Sequence, residues 1–228
     1  MKCIEELLLD KSLVSTYHHK LSEKNLIFYD TETTGILKDF SQILQCGSVL
    51  TDEGLNTLDE QNIGCAPLPW VIPQPMAMIT NKKIDLFKSN ISHYQMMKDL
   101  QMQWKQWSAE NPAIFITYNG HAFDEELVRR QFFWNLLEPY TTNTNGNGRL
   151  DLMLMIHNIA AFFSDEISMP LFEGGPGISY KLEHLAIEHG IDAGDAHDAI
   201  ADCNLMIEMC RIIKERLPEV FQSFINIS

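Results

Sequence analysis

Basic residues are scarce in this chain. Seventeen Lys and Arg stand against 31 Asp and Glu, a formal net charge of −14 over 228 residues. That balance argues against a protein that coats nucleic acid by long-range attraction. It leaves a nuclease open, because bound cations reverse the local sign where a phosphate sits. Long apolar runs are missing too. No uninterrupted stretch reaches the roughly 20 residues that a membrane-spanning helix needs. Near the start, Ile4 and Leu7 to Leu9 are broken up by Glu5, Glu6 and Asp10. No basic segment precedes an apolar one there, so no signal peptide is read. The plainer expectation is a helical extension over residues 1–24 ahead of a single domain over 25–228. Cysteines are few: Cys3, Cys46, Cys65, Cys203 and Cys210. The count is odd and no Cys-x-x-Cys pair exists, which argues against a disulfide framework or a zinc knuckle. Cys203 and Cys210 would lie about 10 Å apart along a helix axis, too far for a bond. Reduced, mostly buried thiols in a cytoplasmic protein are the expectation. Internal repeats and interdomain linkers are also lacking.

What is present is an ordinary globular balance, 45% hydrophobic and 21% charged, with ample core. Residues 26–30 form a short apolar run with aromatics, and 43–50 a second β-like run that ends in the turn Thr51-Asp52-Glu53-Gly54. Four prolines between 67 and 75 mark a loop. Residues 88–107 have helical spacing, with Tyr94, Met97, Leu100 and Trp104 on one face. A buried strand is expected over 113–117, and helices over 123–137, 150–163, 180–189 and 199–217, the last closed before Pro218. Polar or Pro/Gly loops fall at 143–148 and 169–179. Strands come early and alternate with helices later, which gives an α/β class with a mixed sheet.

Three segments carry the chemistry. The first is Asp30-Thr31-Glu32, at the end of the first strand. Its i, i+2 spacing puts both carboxylates on one face of that strand. Two acids so placed repel each other unless a cation sits between them, and hard oxygen ligands suit Mg²⁺ or Mn²⁺. The end of a strand followed by a turn is also where an open α/β sheet places its site. Asp124, in the second segment, opens a helix. There an acid stabilises the first turn without any catalysis, so this position reads either way. His121 close by reads as polar surface. The third segment holds His197 and Asp202. Five residues apart on a helix is about 140° of rotation, so both reach one site only if His197 precedes the helix or lies in its opening turn. Asp195 or Asp198 could cap that helix. Four carboxylates and one histidine are what a two-metal phosphodiesterase needs, the acids holding two divalent ions and the histidine taking a proton from water.

Taken together, Asp-x-Glu, the second-segment Asp and His-x₄-Asp resemble the DEDD exonuclease superfamily in its histidine-bearing DEDDh branch. The accessory segments are similar to the nuclease domain of the bacterial exonuclease I family. They include Ile72-Pro73-Gln74-Pro75, Tyr118-Asn119, Phe123-Asp124-Glu125-Glu126, Arg149-x-Asp151-Leu152 and Leu182-Glu183-His184-Leu185. The resemblance implies a ribonuclease H-like fold, a mixed central sheet flanked by helices. It also implies 3′→5′ removal of nucleoside 5′-monophosphates from single-stranded DNA, a repair-type activity using two Mg²⁺ or Mn²⁺ ions. By position, Asp30, Glu32, Asp124 and Asp202 would bind the metals and His197 would be the general base. Thr31, Thr33 and Gly35 would lie against the terminal nucleotide, and Asn119 and Phe123 would shape its pocket. Lys181, where the family has an arginine, would contact phosphate. Lysine keeps the charge but loses the bidentate fork. An exoribonuclease or oligonucleotide-trimming nuclease uses the same chemistry, and a non-catalytic binding module is the competing class. Single-stranded nucleic acid, DNA before RNA, is the expected partner and a membrane is not. A homodimer or protein partner would supply basic surface that this chain has little of.

Overall fold

The structure is a computed structural model that describes residues 24–172, 175–194 and 198–228. The extension expected over 1–24 lies, Lys24 apart, outside the described residues, as do Cys3 and His197. Five strands form one sheet in the order β3-β2-β1-β4-β5. These are β1 (Asn25–Thr33), β2 (Ile43–Thr51), β3 (Thr57–Gly64), β4 (Ala113–Thr117) and β5 (Gly148–Asp151). β1 pairs antiparallel with β2 and parallel with β4, and β4 parallel with β5. The sheet is therefore mixed, as the sequence suggests.

β1 is the centre because its alternating side chains feed two cores. Leu26 and Phe28 join one cluster, and Ile27 and Tyr29 the other. A strand covered on both faces reads as a near-continuous apolar run, which is what made it legible. On the first face pack α4 (Leu152–Phe162), α5 (Leu182–Glu188), α6 (Ala199–Arg216) and α7 (Pro218–Ile227), following α1 (Pro75–Asn81), α2 (His93–Trp107) and α3 (Asp124–Trp134) in the chain. α2 and α3 cover the second face. There Trp104 stacks near Tyr29, ring centroids 4.8 Å apart, and its indole N–H donates to Ser48 Oγ at 3.0 Å. That bond satisfies a donor which burial would otherwise penalise.

Several boundaries differ from the expected ones. β3 has no apolar pattern to announce it: Thr-Leu-Asp-Glu-Gln-Asn-Ile-Gly is mostly exposed. It is an edge strand with a polar, largely exposed run of the kind that discourages pairing with another chain. β5 is four residues long and straddles the end of the loop expected over 143–148 and the start of the helix expected over 150–163. The helix expected over 88–107 begins only at His93, where Ser92 Oγ accepts from Gln95 N at 3.1 Å. Tyr94 is half-exposed there, and Met96 and Trp107 complete the buried face instead. Pro218 ends α6 as expected. It also starts α7 at a position where its missing N–H costs nothing. The four described cysteines are buried free thiols, in line with the sequence reading. No described helix is long and apolar enough to cross a membrane.

Candidate active site

The acids converge because α6 can approach the sheet closely at one point. Asp30 on β1 pairs with Gly47 on β2. A Cβ on Gly47 would stand 2.6 Å from the carbonyl carbon of Ala199. Only glycine lets the first turn of α6 lie on the strand there. Cys203 Sγ, one turn on, approaches Gly47 O at 3.5 Å. Asp198 caps α6, accepting from Ile200 N at 3.2 Å, and its carbonyl accepts from Asp202 N at 2.9 Å. Of the two acids weighed as caps, Asp198 does the work, and Asp195 lies outside the described residues.

Carboxylate oxygens of Asp30, Glu32 and Asp202 all lie within 4.8 Å of one another. Burial pushes the Asp30 carboxyl well above the usual range, and Asp124, Asp202 and Glu32 add to that push. Glu32 is raised from 4.5 to about 8, first by burial and then by Asp202, against the pull of Lys83 and a bond to Asn81. Asp30 and Glu32 stay raised even though Lys83 and Asn81 pull Glu32 down. A divalent cation would supply the missing charge, so the residues present fit one.

Asp124 is not part of that triplet. It is the first residue of α3, with Phe123 as a cap that makes no side-chain bond. Burial raises it to about 6, while the Thr31 hydroxyl, which donates to its carboxylate, holds it down. Its neighbour Glu125 anchors the helix to β1 and β5. Glu125 accepts from Tyr29 Oη at 2.9 Å, Thr142 Oγ1 at 2.7 Å and Arg149 Nη1 at 2.7 Å. Arg149, in one of the segments that carry the resemblance, is thus used for structure. Arg130 likewise pairs with Asp39 and Glu126.

A cleft of about 690 Å³ opens over the acids, lined among others by Asp30, Asn119, Tyr118, Tyr180, Lys181 and Asp202. Asn119 stands at φ +59°, a left-handed backbone that asparagine tolerates better than most residues. Its N–H donates to Asp151 Oδ1 at 2.8 Å and that of His121 to Asp151 Oδ2 at 3.2 Å. Asp151 therefore fixes the turn that forms one wall. Tyr118 Oη donates to Tyr180 O at 2.6 Å, tying that wall to the opposite one. Lys181 sits exposed on the rim, 3.7 Å from Glu183. Thr31 and Thr33 use their hydroxyls within the protein, on Asp124 and on Gly35 O. Gly35 leaves room for the Gln74 side chain, which would lie 2.5 Å from an added Cβ. The structure thus brings Asp30, Asp202, Asn119 and Lys181 to one cleft, with Glu32 beside Asp30 and Asp202 and with Asp124 near enough to raise Asp30. Sequence reasoning missed Asp151, Tyr180 and Lys83, whose ammonium lies 2.8 Å from Asp198.

No protein-family model matches the chain. Among curated proteins it is similar to exodeoxyribonuclease I of Buchnera aphidicola subsp. Acyrthosiphon pisum, 30% identical over 210 residues, which are 89% of this chain and 49% of that protein. It is similar also to exodeoxyribonuclease I of Escherichia coli, 27% identical over 217 residues, 87% of this chain and 42% of that protein. The E. coli exonuclease I structure in complex with a dA16 oligonucleotide superposes with a TM-score of 0.81 at 25% identity, over 88% of this chain and 43% of that one. An exonuclease I from Methylocaldum szegediense gives 0.79 at 28% identity, over 87% and 42%. The chain spans less than half the length of the relatives it matches. Architecture and superposition together make the fold ribonuclease H-like.

Proposed function

We propose that this chain, an exonuclease I-like nuclease domain, removes nucleoside 5′-monophosphates from the 3′ end of single-stranded DNA. The observation that carries the reading is the triplet of Asp30, Glu32 and Asp202, oxygens within 4.8 Å of one another at the end of the central strand. Asp30, Glu32, Asp202 and Asp124 are the residues to hold two divalent ions, Mg²⁺ or Mn²⁺. Such ions, when bound, acidify the attacking water and stabilise the leaving 3′-oxygen. His197 is the residue to accept the proton from that water at its neutral imidazole, so the rate falls as the pH drops through the histidine's pKa. Asn119 and Phe123, with Thr31, Thr33 and Gly35, shape the pocket for the terminal nucleotide. Tyr118 and Tyr180 give the cleft aromatic walls on which an unpaired base can stack. Lys181 on the rim supplies a positive charge for the strand's phosphates. A cytoplasmic location suits reduced thiols and this substrate.

The test is hydrolysis of a 5′-labelled single-stranded DNA and of its RNA analogue, with Mg²⁺ or Mn²⁺, beside Asp30→Ala. A ladder shortening from the 3′ end with DNA, lost in the variant, is the expected result. Cleavage of RNA alone would keep the mechanism and change the substrate. A wild-type chain inert on both, or an active Asp30→Ala, would overturn the reading and favour a binding module.

A further inference from the structure

Resting on that reading of the site, we infer that Lys83 is a positioning residue for the acid cluster. Its ammonium ties the start of α6 to the strand layer and so fixes where Asp202 meets Asp30 and Glu32. The chain reaches this point by a turn bonded to β1 just past Glu32. Asn81 Nδ2 donates to Thr33 O at 2.9 Å, and Asn81 Oδ1 accepts from Lys83 N at 3.2 Å. Between them Lys82 adopts φ +56°, a left-handed conformation that a residue with a Cβ enters only at some cost. The cost is met where the turn must deliver the next side chain inward. Lys83 is delivered so, with 16% of its side chain exposed, and its Nζ lies 2.8 Å from Asp198 Oδ2.

Asp198 is the right residue to hold. Its Oδ1 caps α6 through Ile200 N, and its Oδ2 takes Lys83 with Gln45 Nε2 at 3.5 Å. Asp202 is one helical turn on and bonded back to the Asp198 carbonyl. Residues four apart lie on one face of a helix, so a displacement of Asp198 is passed to Asp202. Close packing at Gly47 sets how near α6 comes to the sheet. The far half of α6 is held by Arg211, whose Nη2 donates to Leu55 O at 2.6 Å, and by Lys214, which donates to Glu53 O. The Lys83–Asp198 pair holds the near end, where Asp202 sits, because it joins the capping residue to a turn anchored on β1. Lys83 further counters the burial of Glu32. One ammonium therefore serves both elements that contribute acids.

The experiment compares the wild type with Lys83→Met, Asp198→Asn, the double variant and Lys83→Arg on a single-stranded DNA oligonucleotide. Lys83→Met is expected to lower kcat by about tenfold or more with KM within about twofold, because a slightly misplaced ligand costs turnover rather than binding. Asp198→Asn should lose a similar amount, and the double variant no more than the worse single one. Lys83→Arg should recover most of the activity, since it keeps the charge. A raised KM with unchanged kcat would overturn the inference and make Lys83 a direct phosphate contact. Additive losses, or a wild-type-like Lys83→Met, would overturn it as well. Melting temperatures of the same proteins in EDTA decide the pair without any activity. Non-additive shifts support it, and additive shifts overturn it even if the wild type proves inert, an outcome that would separately sink the proposed function.

Discussion

In metal-free solution Glu32 should make the folded protein less stable as the pH rises, and Glu32→Gln should remove that loss. Its carboxyl moves from 4.5 to about 8 on folding, chiefly through burial, with Asp202 and Asp124 adding and Lys83 and Asn81 opposing. Across that interval the folded protein keeps a proton that the unfolded chain has released. Stability from this group is therefore fully present below about pH 4.5, declines through the window and is gone above about pH 8. At about 1.36 kcal/mol per pH unit the interval caps the loss at about 5 kcal/mol. Glu32 keeps some contact with water, and neighbouring acids can move apart, so about 2–3 kcal/mol is expected. The assay is urea unfolding followed by circular dichroism in EDTA at about pH 5 and about pH 8.5, for wild type and Glu32→Gln. The wild type should lose about 2–3 kcal/mol more than the variant between the two conditions. Saturating Mn²⁺ at about 100 times its Kd should return about 2.7 kcal/mol to the wild type at the higher pH, and much less to the variant. Parallel pH dependences in the two proteins would refute the claim that burial outweighs Lys83 and Asn81 at Glu32.

Gly47→Ala should cost about 1–3 kcal/mol in urea unfolding, because its methyl meets the backbone of α6 rather than a flexible side-chain end. It should also weaken Mn²⁺-induced stabilisation, since the turn it displaces carries Asp202. An unchanged response to metal would show that α6 reaches the acids without this close approach. Glu125→Ala should cost about 3–5 kcal/mol by leaving the Arg149 charge and the Tyr29 hydroxyl without their partner. Glu125→Gln should cost less, as the amide still accepts, and equal losses would mean that packing alone matters there. Lys181→Ala should raise KM for single-stranded DNA with kcat little changed, and lower the salt dependence by about one counterion. A fall in kcat alone would remove Lys181 from the phosphate track.

Much of this protein was legible before any folding was considered. β1 and β4 are apolar runs because both of their faces are covered. The i, i+2 spacing of Asp30 and Glu32 forces both acids to one side of whatever strand they occupy. The start of α6 was legible from the cap chemistry of the acids before Ala199. β3 and β5 were not, because an exposed edge strand and a four-residue strand carry no periodicity. Their pairing partners alone make them strands. The expected face of α2 was misjudged at Tyr94 for a related reason. Helical spacing defines a stripe, but where the sheet begins and ends decides which of its members are covered.

The sequence by itself determined the chemical inventory: acids of the right hardness for a divalent cation, a strand end to display two of them, and a helix to bring a third. It could not say which acids meet. Asp202 reaches Asp30 and Glu32 across some 170 residues of chain, and that encounter depends on a missing Cβ at Gly47 and on the Lys83–Asp198 pair. Asp124 comes near enough to these acids to raise Asp30, while the Thr31 hydroxyl donates to one of its carboxylate oxygens. Local spacing fixes the direction of a side chain relative to its own backbone. Only packing fixes the distance between backbones, and a cation site is a matter of distance.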